Sequence, residues 1–254
     1  MRHVLSALIG KSVRQIARLR GGGGSALPGL VVERIDPGFL ARVLGELPYG
    51  VAVVSGTNGK TTTTKMIVEI LEAQGLRVFT NRTGSNFTRG VIAAALADCS
   101  LGGRLDADVA VLELDEAHAI HFIARVQPRF TLLLNVLRDQ LDRFGEIDTT
   151  AKLLARIADA TTEGLVVNRE DPLLATIGDA ARERIEVRRF GLSDELLALF
   201  PSDADFHATP GVGTVPAADA APAADAAPAS GAERGAADVA LIEVGDHEAA
   251  FRID

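Results

Sequence analysis

The stretch SGTNGKTT, Ser55 to Thr62, sets two glycines, a lysine and a run of threonines between an apolar segment and a helix-like one. Gly56 and Gly59 allow the backbone to approach an anion closely, and consecutive N–H groups of such a turn can converge on phosphate oxygens. A helix starting at Lys60 adds the positive end of its dipole. In that setting Lys60 neutralises β- and γ-phosphate charge and Thr61 offers its hydroxyl to Mg²⁺. Gly56, Thr57, Asn58, Gly59, Lys60, Thr61 and Thr62 are therefore the candidate nucleotide-binding residues. The strict G-x-x-x-x-G-K-[ST] pattern is not met, because Val54 stands where its first glycine belongs. The competing reading is an ordinary β-to-α turn. The phosphate reading requires loop amides that face a common point and a Lys60 ammonium not locked into an internal ion pair.

Three further segments carry polar chemistry. Glu113 closes the strand-like run ADVAVLE, at the strand mouth where open α/β sheets keep their ligands. Asp115 and Glu116 follow it, and two readings stay open: they help bind a metal, or they are solvated loop acids. His118 and His121 lack the companions of a transition-metal site, so His118 reads as lining the site or bonding its own loop. Asn81, Thr83, Ser85 and Asn86 sit on a loop with Gly84, either facing a substrate or forming a satisfied turn. Asn135, Arg138, Asp139 and Gln140 follow another buried strand and should reach the same sheet edge. Asn168, Asp171 and Pro172 suit a helix start and read as structural. Lys152 reads as the exposed side of a helix, and Cys99 as a helix-end core residue.

The elements that must position these groups alternate. VAVVS, LRVFTN, ADVAVLELD, FTLLLNV, EGLVVNRED and IEVRRFG read as strands. TTTKMIVEILEAQG, TRGVIAAALADC, AIHFIARVQ, TTAKLLARIADATT and PLLATIGDAAR read as the helices between them, with Gly75 as a stop. PGFLARVLGELP reads as a short helix, and the segment from Gly21 through ALPG as a loop. The fold class is α/β, a mostly parallel sheet with helices on both faces. The expected organisation is an N-terminal helix and lead-in (1–45), a central nucleotide-binding domain (46–200), an Ala/Pro-rich insertion (201–238) and a hairpin (239–254). The insertion is too poor in large apolar residues to offset its chain entropy and reads as disordered.

Composition narrows the partners. The net charge of -8 over 254 residues argues against nucleic acid. One cysteine excludes an internal disulfide and fits a reducing compartment. No window reaches the roughly 18 consecutive apolar residues of a membrane span. The N-terminal segment carries Leu5, Leu8, Ile9, Val13 and Ile16 among Arg2, Lys11, Arg14, Arg18 and Arg20. Its charges recur throughout, unlike a signal peptide. It is either an amphipathic helix packed on the following domain or a basic helix grazing an anionic membrane surface.

The wording GTNGKTTT resembles the ATP loop of the Mur ligase superfamily. TNRTGSNFTRG, LELDEAHA and LLLNVLRDQLDRFGEID resemble, within it, the MurT subunits of lipid II isoglutaminyl synthase, over about Gly24 to Gly191. The resemblance implies ATP and Mg²⁺ as cofactors, with Lys60 and Glu113 catalytic and Thr61 and Glu113 holding the metal. It implies that Asn81, Thr83, Ser85, Asn86 and Arg138 face the substrate. The implied reaction is ATP-dependent phosphorylation of the α-carboxyl of D-isoglutamate in lipid II, then amidation with ammonia from a GatD-type glutaminase, in the cytoplasm at the inner membrane face. Two departures stand out. Gln140 stands where many amino-acid-adding relatives have a metal-binding histidine, a change that matches MurT, and the lone cysteine leaves no zinc ribbon. The family's C-terminal domain has no counterpart before Asp254, so the expectation is a fragment inactive by itself. The alternatives are another Mur-type amino-acid ligase and a non-catalytic ATP-binding fragment.

Overall fold

The computed structural model describes residues 2–19, 26–81, 87–137, 146–193, 196, 238–244 and 249–253. Thr83, Ser85, Asn86, Arg138, Asp139 and Gln140 lie outside them, as does the Ala/Pro-rich tract up to residue 237. The chain divides into two compact units, Met1–Arg188 and Arg189–Asp254.

The first unit is built on parallel strands in the order β2-β3-β1-β4-β5-β6. These are β1 (Val51–Ser55), β2 (Val78–Phe79), β3 (Val109–Glu113), β4 (Phe130–Leu133), β5 (Gly164–Asn168) and β6 (Glu186–Leu192), the last running past the unit boundary. Every residue of β3 is buried, as expected of a strand covered on both faces. Val53, Leu112, Leu133 and Leu165 are fully buried at the centre of the core, with Phe122, Leu154 and Ile157 from the helices. The register decides where chemistry collects. Val54 pairs with Glu113 across β1 and β3, and Ser55 with Leu133 across β1 and β4. Three strands thus end level, and the loops that follow them meet at one carboxyl edge. β1 also lies where strand addition reverses direction, with β3 and β2 on one side and β4 and β5 on the other.

The helices are α1 (Arg2–Leu19), α2 (Ala26–Ile35), α3 (Phe39–Gly45), α4 (Lys60–Ala73), α5 (Thr88–Asp98), α6 (Glu116–Ile123), α7 (Glu146–Ala160) and α8 (Pro172–Ala181). Several match the sequence pattern closely. Gly75, at φ 87°, stops the segment after α4, and Asp171 caps α8 through the Leu173 and Leu174 amides with Pro172 in the first turn. Others differ for physical reasons. The ALPG segment is helical, not a loop, because Pro28 falls in the first turn and Gly29 packs tightly. A Cβ on Gly29 would come within 2.0 Å of the Arg89 carbonyl oxygen of α5. α6 begins at Glu116, three residues before the expected start, because Asp115 caps it.

α1 packs on α2 and α5, but through small residues. Ser6, Ala7 and Gly10 are buried while Leu8 and Ile9 are exposed. An added Cβ at Gly10 would meet Leu96 and Val32 side chains at 2.7–2.8 Å, so the helices approach closely there. Among the described residues no helix is long and apolar enough to cross a membrane.

In the second unit, Phe190–Leu192 of β6 pair in parallel with β7 (Val239–Val244), which pairs antiparallel with β8 (Ala249–Ile253). The Arg189 amide donates to the Asp238 carboxylate at 2.6 Å.

Candidate functional site

The turn between β1 and α4 is held from outside. Gly56 has φ 134° and Gly59 φ 82°, both favoured by glycine. A Cβ on Gly56 would lie 3.0 Å from the backbone N and O of Asn135, so the turn rests directly on the segment after β4. Asn135 secures it by three hydrogen bonds. Its carbonyl accepts from the Thr57 amide at 3.0 Å, its Oδ1 from the Asn58 amide at 2.8 Å, and its Nδ2 donates to the Asn58 carbonyl at 3.2 Å. The Thr57 hydroxyl accepts from the Leu137 amide at 3.0 Å. Asp171, the α8 cap, also accepts from the Val136 amide at 2.6 Å, which fixes the supporting segment in turn.

This bonding changes which amides can meet an anion. Those of Thr57 and Asn58 are engaged by Asn135. Helix geometry leaves the first-turn amides of α4, at Lys60, Thr61 and Thr62, without intrahelical acceptors, and they face the sheet's carboxyl edge. The Lys60 ammonium folds back on the turn, donating to the Gly56 carbonyl and, at 2.9 Å, to that of Thr57. It also forms an internal ion pair with Glu116, Nζ to Oε1 at 3.7 Å, longer than a hydrogen bond. Its hydrogen bonds thus go to neutral carbonyls, and fully charged phosphate oxygens are stronger acceptors.

Glu113, 7% exposed, stands beside this turn at the end of β3. Its Oε1 accepts from the Thr61 hydroxyl at 2.9 Å. Two oxygens at that spacing match neighbouring ligands of one octahedral Mg²⁺, whose bonds of about 2.0–2.1 Å put adjacent oxygens roughly 2.9 Å apart. The pair therefore fits a hard divalent ion, whose other positions normally hold water and phosphate oxygens. Asn81 fixes Glu113 from the β2 side: its Nδ2 donates to the Glu113 carbonyl at 2.7 Å, and its Oδ1 accepts from the Glu113 amide at 3.0 Å. The resemblance implied that Asn81 faces a substrate, with a satisfied turn as the alternative; here both ends of its amide bond the backbone of the proposed metal ligand. A cavity of about 330 Å³ opens beside Thr61, Thr80, Asn81 and Glu113.

The turn after β3 organises itself. Asp115 accepts from the Ala117 amide as helix cap and meets His118 Nδ1 at 3.1 Å. Phe87 packs edge-on against the His118 ring with centroids 4.1 Å apart. His118 thus bonds its own loop. Burial pushes the Glu116 carboxyl up from its ordinary range; a backbone hydrogen bond and the Lys60 charge oppose this, and Asp115 adds to it. Burial likewise raises the Cys99 thiol at the end of α5.

Residues 54–216 match the Mur ligase middle domain. The chain belongs to the Mur ligase family. It is 31% identical over 177 residues to the MurT subunit of the glutamine-hydrolysing lipid II isoglutaminyl synthase of Staphylococcus aureus strain COL, covering 70% of this chain and 39% of that protein. To the corresponding Streptococcus pneumoniae subunit it is 37% identical over 175 residues, covering 68% of this chain and 38% of that protein. The chain thus spans less than two-fifths of the length of these MurT relatives. The solved MurF ligase of Thermotoga maritima, in complex with ADP, superposes with a TM-score of 0.51 at 22% identity, covering 66% of this chain and 37% of that one. That likeness concerns the fold.

Two members of this Mur-type edge escaped sequence reasoning in their roles. Asn135 was expected at the edge but not as the clamp of the phosphate turn, since its partners lie 77 positions away. Glu116 was read either as a metal-binding acid or as a solvated loop acid; it lies largely buried in the first turn of α6 and faces Lys60, and the Asp–Glu pair ahead of an apolar run was the available sign of that capped helix.

Proposed function

We propose that this chain is the ATP-binding part of a MurT-like amide ligase, acting with a GatD-type glutaminase on lipid II. The observation that carries the reading is the Thr61–Glu113 contact at 2.9 Å beside the Lys60 turn. It sets a metal-competent oxygen pair against a loop that brings glycines, a lysine and a helix N-terminus together. Likeness to the MurT subunits supports the choice among Mur-type ligases.

In this reading the α4 first-turn amides and Lys60 bind the triphosphate of ATP, and Lys60 leaves the loop carbonyls to do so. Mg²⁺, when bound at Thr61 and Glu113, supplies charge stabilisation for the transferring phosphoryl group. A substrate carboxylate oxygen attacks the γ-phosphorus, the bond to the ADP oxygen breaks, and an acyl phosphate results. Ammonia then attacks the acyl carbon, phosphate leaves, and a proton is lost to give the amide. Asn81 keeps Glu113 in place throughout. Thr83, Ser85, Asn86 and Arg138 contribute to substrate binding, and the reaction proceeds at the cytoplasmic face of the membrane.

The binding half is tested by titrating MgATP into this chain and into Lys60→Ala. Loss of a charged donor to phosphate should weaken binding about 10- to 100-fold, and equal affinity would refute the phosphate site. The reaction is tested with the full-length protein. Glutamine plus the glutaminase should yield an amidated lipid II product by mass; incorporation of a free amino acid would favour another Mur-type ligase.

A further inference from the structure

We propose that Glu116 is a positioning residue that holds the Lys60 ammonium on the loop's own carbonyls until nucleotide phosphate displaces them. The proposal rests on the nucleotide reading of the turn and concerns what sets its affinity. Glu116 Oε1 and Lys60 Nζ are 3.7 Å apart, and each side chain is only 13% exposed. That oxygen is buried and has no hydrogen-bond partner. A sequestered carboxylate oxygen without a donor is unfavourable unless a cation stands close, and Lys60 is that cation.

The arrangement works in both directions. Glu116 draws Lys60 toward the turn, where the Gly56 and Thr57 carbonyls complete its coordination. A phosphate that pulls Lys60 away leaves Glu116 uncompensated. The carboxylate is not needed to start α6, because Asp115 caps that helix. Glu116 therefore lowers nucleotide affinity below what the turn alone would give, and it does so through Lys60. Such a contact keeps the empty turn in one conformation and makes release of Lys60 part of binding.

The experiment is MgATP titration by calorimetry with this chain, Glu116→Gln and Glu116→Ala. Both substitutions should strengthen binding, roughly three- to tenfold. A substitution that merely damages the site would weaken it, so the sign separates the two explanations. In a Lys60→Gln background the same Glu116→Gln change should gain less than about twofold. Unchanged or weaker binding by both single variants overturns the proposal. A full gain retained without Lys60 also overturns it, since Glu116 would then act by direct repulsion of phosphate. Absence of MgATP binding to the unsubstituted chain removes the phosphate-site reading and this proposal with it; binding that neither variant strengthens removes only the proposal.

Discussion

The turns after β1 and after β3 lie side by side at one sheet edge, yet they are stabilised in opposite ways. The β1 turn carries glycines at φ 134° and 82° and takes its hydrogen bonds from Asn135, far along the chain. The β3 turn carries acids and closes on itself, with Asp115 serving as both helix cap and partner of His118. A turn that must leave its helix-end amides open for a ligand cannot also use them to hold its shape, so support comes from another segment. A turn that presents carboxylates has no such conflict. The difference predicts that damage spreads from the first turn and stays local in the second.

Gly56→Ala should give the largest effect. A side chain at φ 134° is strained by about 1–3 kcal/mol, and its Cβ would press on the Asn135 backbone at 3.0 Å. A total near 3 kcal/mol would lower Tm by about 6–12 °C and abolish MgATP binding. Gly75→Ala is the control. Gly75 has φ 87° but nothing within 4 Å of the added carbon, so only strain of about 1 kcal/mol is expected, with affinity unchanged. Equal losses in the two variants would mean that the contact with Asn135 is immaterial.

Asn135→Ala and Asp115→Ala sharpen the contrast next. The first removes both side-chain bonds to Asn58 and should cost about 1–2 kcal/mol and roughly tenfold in MgATP affinity. The second removes a helix cap, costing about 1 kcal/mol, and should leave affinity within about twofold because Asn81 fixes Glu113 and Asn135 fixes the β1 turn without it. Thermal unfolding and calorimetry on both variants decide it. A large affinity loss in Asp115→Ala would show that the two turns are mechanically joined.

The same contrast explains what the sequence made legible. Alternating apolar runs, Gly75 and the Asp171–Pro172 start are local signals, and the strands, most helices and the glycine turn after β1 follow from them. α2 was missed because Pro28–Gly29 looks like a loop until the close approach of Arg89 requires a glycine there. The exposure of Leu8 and Ile9 on α1 was missed because periodicity favours large apolar residues, while Gly10 and Ala7 allow a nearer helix. In the site, Lys60, Thr61 and Glu113 were legible because each sits at a strand or helix end. The work of Asn81 and Asn135 was not, since it consists of bonds to backbone that only the strand order brings near.

The smallest expected effect lies between the two turns, at Glu116. Burial raises its carboxyl pKa in the folded state, so the folded protein binds this proton more tightly than the unfolded chain does. The preference stabilises fully below the ordinary glutamate range and is lost as pH rises through the raised value. Above that raised value the ionised carboxylate is therefore a burden that Lys60 only partly offsets. Glu116→Gln should raise Tm by about 1–3 °C at pH above the raised value, and the gain should shrink toward zero as pH falls through that value toward 4.5, the ordinary glutamate pKa. Thermal melts of both proteins across that range measure it. A gain that persists unchanged in acid would mean that the amide packs better for reasons of shape, and the charge of Glu116 would carry no weight in the balance between the two turns.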